Sequence, residues 1–189
     1  CGTSISARYP LVELATAALF VALGIRFGDS WALPAYLLFV AALLAISVID
    51  LEHYIVPNRI LYPTLFITAP LLAGAALLEG EPRRIRDAAI GGVAAWLALL
   101  VVHVIQPRGM GFGDVRLAGL LGMHLGWIDL ELVLLGMILG FFLGAVIGIL
   151  LIVTRIRGRK DAVPFAPFLA AGAVVAILLS DQLLRAYGV

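Results

Sequence analysis

Charge is scarce in this chain. Only 13% of its 189 residues are Asp, Glu, Lys or Arg, against 63% hydrophobic, and the mean hydropathy is +1.11. A soluble globular domain carries about a quarter charged residues, so the composition points instead to a polytopic protein in a lipid bilayer. A net charge of +1 leaves no surplus of cations for nucleic acid, and no such partner is expected. Cysteine is nearly absent as well. One thiol, Cys1, can build neither an internal disulfide nor a multi-thiolate zinc site. His53, His103 and His124 are dispersed, and no metal site is expected. There is no secretory signal pattern, no low-complexity linker and no soluble domain. Residues 1–7 are polar and read as the continuation of a longer protein. Residues 1–10 are expected to be the remnant of an N-terminal cytoplasmic loop, with 1–189 forming one membrane domain.

What is present is a series of apolar runs, near 11–27, 31–49, 60–78, 88–105, 115–127, 132–153 and 165–184. They predict an all-α, transmembrane helical bundle of about seven membrane segments. Pro10 suits a first helical position. Glu13 is expected in the first turn at headgroup level, and Trp31 and Tyr36 suit an interfacial belt. Pro63 and Pro70 predict a kink in the third run. The run 115–127 is short and glycine-rich, fitting a short or partly re-entrant helix. Gly136, Gly140, Gly144 and Gly148 recur every four residues, which predicts close helix packing rather than chemistry.

Lys/Arg asymmetry sets the orientation. With a cytoplasmic N-terminus, that side holds Arg8, Arg59, Arg108, Arg116, Arg155, Arg157, Arg159 and Lys160. The other side holds Arg26, Arg83, Arg84, Arg86 and Arg185. The 155–160 cluster decides the balance, and the Arg83–Arg86 group opposes it.

Two acids stand out against this background. Gly109, Gly111 and Gly113 leave a backbone with little side-chain cover, and Asp114 follows them. Asp50 ends the second run. An acid at the edge of a membrane-length apolar segment is costly and points to function. Each follows an even number of crossings, so both fall at the cytoplasmic edge. Two carboxylates brought together share a proton, because like charges a few ångströms apart cannot both ionise. The ionised one can take a proton from water while the protonated one polarises a peptide carbonyl. That is aspartic-protease chemistry, without metal, cysteine or serine. Asp50 sits at a helix C-terminus and Asp114 where the next helix is expected to be capped. Their own helix dipoles therefore predict Asp114 as the more easily ionised and Asp50 as the holder of the proton.

Gly111-Phe112-Gly113-Asp114 resembles the GxGD motif of membrane aspartic proteases, and the wider segment 109–117 resembles it as found in bacterial type IV prepilin peptidases. Ile49-Asp50-Leu51-Glu52 with Ile55-Val56-Pro57-Asn58 resembles that family's first catalytic aspartate and its turn. Ile5-Ser6 with Arg8-Tyr9-Pro10-Leu11-Val12-Glu13-Leu14 resembles its entry into a helix after a cytoplasmic loop. Val163-Pro164-Phe165-Ala166-Pro167-Phe168 resembles the start of its last helix. The four segments stand in family order.

The resemblance implies an endopeptidase in the bacterial inner membrane that removes the basic leader of type IV prepilins and pseudopilins after a glycine, on the cytoplasmic side. It maps Asp50 and Asp114 onto the catalytic pair, and Gly111 and Gly113 onto glycines that leave room for substrate backbone. No cofactor is implied for the peptidase. Many members also N-methylate the new terminus with S-adenosylmethionine, an activity tied to an N-terminal portion rich in paired cysteines. With Cys1 alone, that capacity is expected to be missing or incomplete over these residues, so methylation is expected only of the full-length protein. His53, Pro57 and Asn58 lie near the pair and receive no chemical role. Two other readings use the same residues: a proton- or cation-coupled transporter with Asp50 and Asp114 as ligands, and a non-catalytic assembly protein that uses its glycine faces for helix contacts.

Overall fold

A computed structural model describes residues 8–107, 109–156, 158 and 163–187. It contains α1 (Arg8–Phe27), α2 (Leu33–His53), α3 (Asn58–Leu78), α4 (Arg83–Ile105), α5 (Phe112–Ile128), α6 (Leu130–Val153), α7 (Ala166–Leu178) and α8 (Ser180–Tyr187). No strand and no separate soluble domain occur among the described residues. Five helices, α1, α2, α3, α4 and α6, are long and apolar enough to cross a membrane. The pair α7–α8, bent by 80°, makes a sixth if counted as one broken span. The protein is therefore a multi-pass membrane protein.

The seven predicted runs correspond in order to α1 through α7, and the last run splits into α7 and α8. Helix α5 is 17 residues long, and its burial explains why so short a helix is stable. Val115, Leu117, Ala118 and Leu125 are fully buried. The sequence packs α4 against α5 by deleting side chains. A Cβ added at Gly122 would come within 2.6 Å of the Ala95 Cβ, and one at Gly126 within 2.5 Å of the Asp87 carbonyl oxygen. The predicted glycine stripe on α6 performs the same task against α7. A Cβ at Gly140 would meet the Leu169 Cα at 3.0 Å, and one at Gly144 the Phe165 ring at 3.0 Å, whereas Gly148 faces open space.

Pro63 and Pro70 both lie inside the single helix α3. Two local expectations change. Glu13 lies beyond the first turn, because α1 already begins at Arg8. Tyr36 is fully buried in the protein and does not face the lipid headgroups. Its ring stacks on Phe27 at 4.1 Å, and its hydroxyl donates to the His124 carbonyl oxygen at 2.6 Å. A buried phenol is stable when its hydroxyl finds such an acceptor.

The bundle has two chemically distinct ends. At one, Arg26 donates to Ser180 at 2.7 Å and pairs with Asp181 at 2.8 Å, while Arg84 pairs with Glu79 at 2.9 Å. The other end holds the close of α2, the starts of α5 and α7, and both candidate aspartates. Residues 1–7, including the Ile5-Ser6 part of the resemblance and most of the 1–10 segment, lie outside the described residues. So do Arg108, Arg157, Arg159 and Lys160 of the charge tally.

Candidate active site

Asp50 lies in the last turn of α2. The helix continues to His53 and stops where Tyr54 turns left-handed (φ 58°), with the Tyr54 N–H bonded to the Asp50 carbonyl. Pro57, extended at ψ 118°, then starts α3. The Asp50 side chain turns inward and is 4% exposed. It accepts a hydrogen bond from the Ala166 N–H at 3.1 Å. Ala166 is the first residue of α7, where backbone N–H groups have no partner within the helix and the dipole favours an anion.

Asp114 is not the cap of α5. Gly111 occupies that position, extended at φ −69° and ψ 147°, and Asp114 is the third helical residue. Asp114 is 7% exposed. Burial, and next the charge of nearby Asp50, raise its pKa from 3.8 to about 7, while a backbone hydrogen bond near Gly111 opposes the rise. The expected order of ionisation, Asp114 before Asp50, weighed each acid against its own helix. In the bundle a donor to Asp50 comes from a helix 116 residues away in sequence, and burial favours the protonated form of Asp114.

The motif glycines differ in what surrounds them. A Cβ at Gly113 would come within 2.9 Å of the Val56 Cβ, so this glycine makes room for the α2–α3 turn. A Cβ at Gly111 would meet the Asp114 Oδ2 at 3.4 Å, an ordinary contact. The space at Gly113 is therefore filled by the protein itself, and Gly111 borders the carboxyl directly.

Sequence reasoning missed three groups that shape this end. His103 Nδ1 lies 2.8 Å from the Met110 carbonyl oxygen, and its ring is 5.6 Å from Phe112, which ties the glycine turn to α4. Arg116 bonds Asn58 across the site. Ala166 supplies the N–H described above. The prolines around Ala166 mark a helix start, the one signal that pointed toward it. His53 is an exposed residue 3.9 Å from Glu52. Among the described residues no group of three or more His, Cys, Asp or Glu could hold a metal ion.

A model of the Type IV leader peptidase family matches residues 37–153. Among curated relatives, a protein named prepilin leader peptidase/N-methyltransferase from Aeromonas hydrophila is 38% identical, over 99% of this chain and 63% of its own length. Proteins of the same name from Pseudomonas aeruginosa and Bacillus subtilis are 36% and 34% identical, over 99% of this chain and 63% and 72% of their lengths. The chain thus spans a little under two thirds of the first of these relatives. No solved structure matches. Neither the family nor these relatives supports the transporter reading.

Proposed function

The chain belongs to the type IV leader peptidase family, and from that premise we propose that it is a membrane aspartic endopeptidase using Asp50 and Asp114. The observation that carries the reading is the pair itself. Two buried carboxylates, from helices far apart in sequence, sit so that burial, and next the charge on Asp50, raise the pKa of Asp114 to about 7. The Asp50 carboxylate, held by the α7 N-terminus, takes a proton from the attacking water as its oxygen bonds to the scissile carbonyl carbon. The Asp114 carboxylic acid gives its proton to the carbonyl oxygen. The resulting diol then collapses: one hydroxyl returns its proton to the Asp114 carboxylate as the C=O bond forms, the C–N bond breaks, and the proton taken by Asp50 passes to the leaving amine.

The substrate class is the prepilins and pseudopilins, cut after a glycine where a basic leader meets an apolar helix. The site faces the cytoplasm from a bacterial inner membrane. N-methylation of the new terminus with S-adenosylmethionine, the second activity in the curated relatives' names, is a further part of this reading.

The test is cleavage of a peptide with a basic leader, a Gly-Phe junction and an apolar helix, read by mass spectrometry. The parent cuts at the glycine. Asp50→Asn and Asp114→Asn each lower kcat by about 10³-fold or more, because members of a catalytic unit do not substitute for one another. Normal cleavage by either variant sinks the two-carboxylate mechanism.

A further inference from the structure

Asp50 and Asp114 stand on different helices, so their relative placement depends on what joins the close of α2 to the head of α5. Tyr36 and Phe39 also bridge these helices, through His124. Phe39 is 11 residues before Asp50 in sequence, about 16 Å along a helix, too far to set the placement of the carboxylates. Near the aspartates the described ties run through the α2–α3 turn. Val56 packs on Gly113, and two residues later the Asn58 Oδ1 accepts from the Arg116 Nη1.

Arg116 is well suited to hold that turn. Its guanidinium lies 5.1 Å from the centre of the Phe112 ring, and its Nε donates to the Phe112 carbonyl oxygen at 3.3 Å. Phe112 in turn lies beside His103, which bonds the Met110 carbonyl. Contacts from α3, α4 and α5 thus enclose the glycine turn that carries Asp114. The planar fork serves Asn58, Phe112 and the backbone at once, which a lysine ammonium cannot do. Val56 lies close against Gly113 but presents no polar group, so the Arg116–Asn58 bond supplies the directional tie between this turn and α5.

Resting on the peptidase reading, we propose that Arg116 is a positioning residue: by gripping Asn58 it pins the α2–α3 turn to the head of α5 and sets how the Asp50 and Asp114 carboxylates face each other. Neither Arg116 nor Asn58 touches the reacting atoms. The pair is largely exposed, and such pairs contribute little to stability, so its loss loosens the site without unfolding the bundle.

The experiment compares the parent with Arg116→Gln, Arg116→Lys, Asn58→Leu, Asn58→Asp and the double variant Arg116→Gln/Asn58→Leu, in detergent. Cleavage kinetics and backbone hydrogen exchange over residues 54–58 and 109–114 are the readouts. Arg116→Gln is expected to lower kcat about tenfold to 100-fold, the effect of misplacing a reacting group by about 1 Å, with KM within about twofold. Arg116→Lys behaves like Arg116→Gln. Asn58→Leu matches it, and the double variant is no worse than either single, because one contact is lost in all three. Asn58→Asp keeps the acceptor and keeps kcat. Exchange over both segments speeds up in every variant that loses the contact, while the thermal midpoint holds.

Additive losses, a change in KM alone, or unchanged exchange would overturn the pin. If the parent cuts nothing, the peptidase reading falls separately. The exchange data then still decide whether Arg116 pins the turn, and unchanged exchange rejects it.

Discussion

Asp114 is where a single residue states most. Its carboxyl titrates near 3.8 when free of the fold and at about 7 within it. Between those values the native state holds a proton that the unfolded state has released, so the stability contributed by this group falls as pH rises from about 4 to about 7 and levels off above. The same titration governs chemistry in the proposed mechanism, because Asp114 must be protonated to polarise the carbonyl. Activity is expected to decline as pH rises through about 7, while a melting series shows the stability slope between pH 4 and 7. Asp114→Asn removes that slope. Full activity well above pH 8 would mean that Asp114 is not the proton donor. The position of this acid was legible in the sequence from its glycines. Its protonation was not, since burial and the Asp50 charge are features of the assembled bundle. The same holds for Tyr36, whose acceptor is a backbone carbonyl 88 residues away and leaves no trace in the pattern of side chains.

Among the elements, α5 separates what periodicity reveals from what packing decides. The apolar runs announced α1 through α6 to within about five residues, because hydropathy over a membrane-length stretch is a local property, but not the bend that divides the last run into α7 and α8. The stripe on α6 was legible too, with glycines at a regular interval of four. The closer contact, α4 on α5, was not read. Gly91, Gly122 and Gly126 work as a set only once two helices face each other, and a sequence does not name the partner. The contact makes a sharp expectation. A Cβ at Gly122 falls 2.6 Å from the Ala95 Cβ and against the Gly91 backbone, whereas one at Gly24 in α1 meets nothing within 4 Å. Gly122→Ala should therefore cost about 1–3 kcal/mol through overpacking, read as a lower thermal midpoint in detergent. Gly24→Ala should be neutral or slightly stabilising, since alanine is the better helix former. Equal behaviour of the two would mean that α4 and α5 can separate without penalty.

For the molecule as a whole the question is which way it sits. Helix α2 ends, and α5 and α7 begin, at the aspartate end, while the Arg26–Asp181 and Arg84–Glu79 pairs close the other. The topology therefore places both aspartates on one side whichever way the bundle is inserted. Lys/Arg asymmetry alone chose the cytoplasm for that side, and the Arg83–Arg86 group opposed it. In the bundle, Arg84 is engaged with Glu79 and lies 4.5 Å from the Trp127 ring, and Arg86 pairs with Asp87. Those arginines have a structural use where they stand, so their presence is accounted for without a cytoplasmic location. Thiol labelling in a Cys1→Ser background decides the matter. Ile55, 56% exposed, lies in the α2–α3 turn beside the aspartates, and Glu81, also exposed, lies between α3 and α4 at the opposite end. With a membrane-impermeant reagent on intact cells, Glu81→Cys should label at once, and Ile55→Cys only after the inner membrane is opened. The reverse pattern would put the aspartates outside and remove the cytoplasmic leader from their reach, whatever their chemistry in detergent.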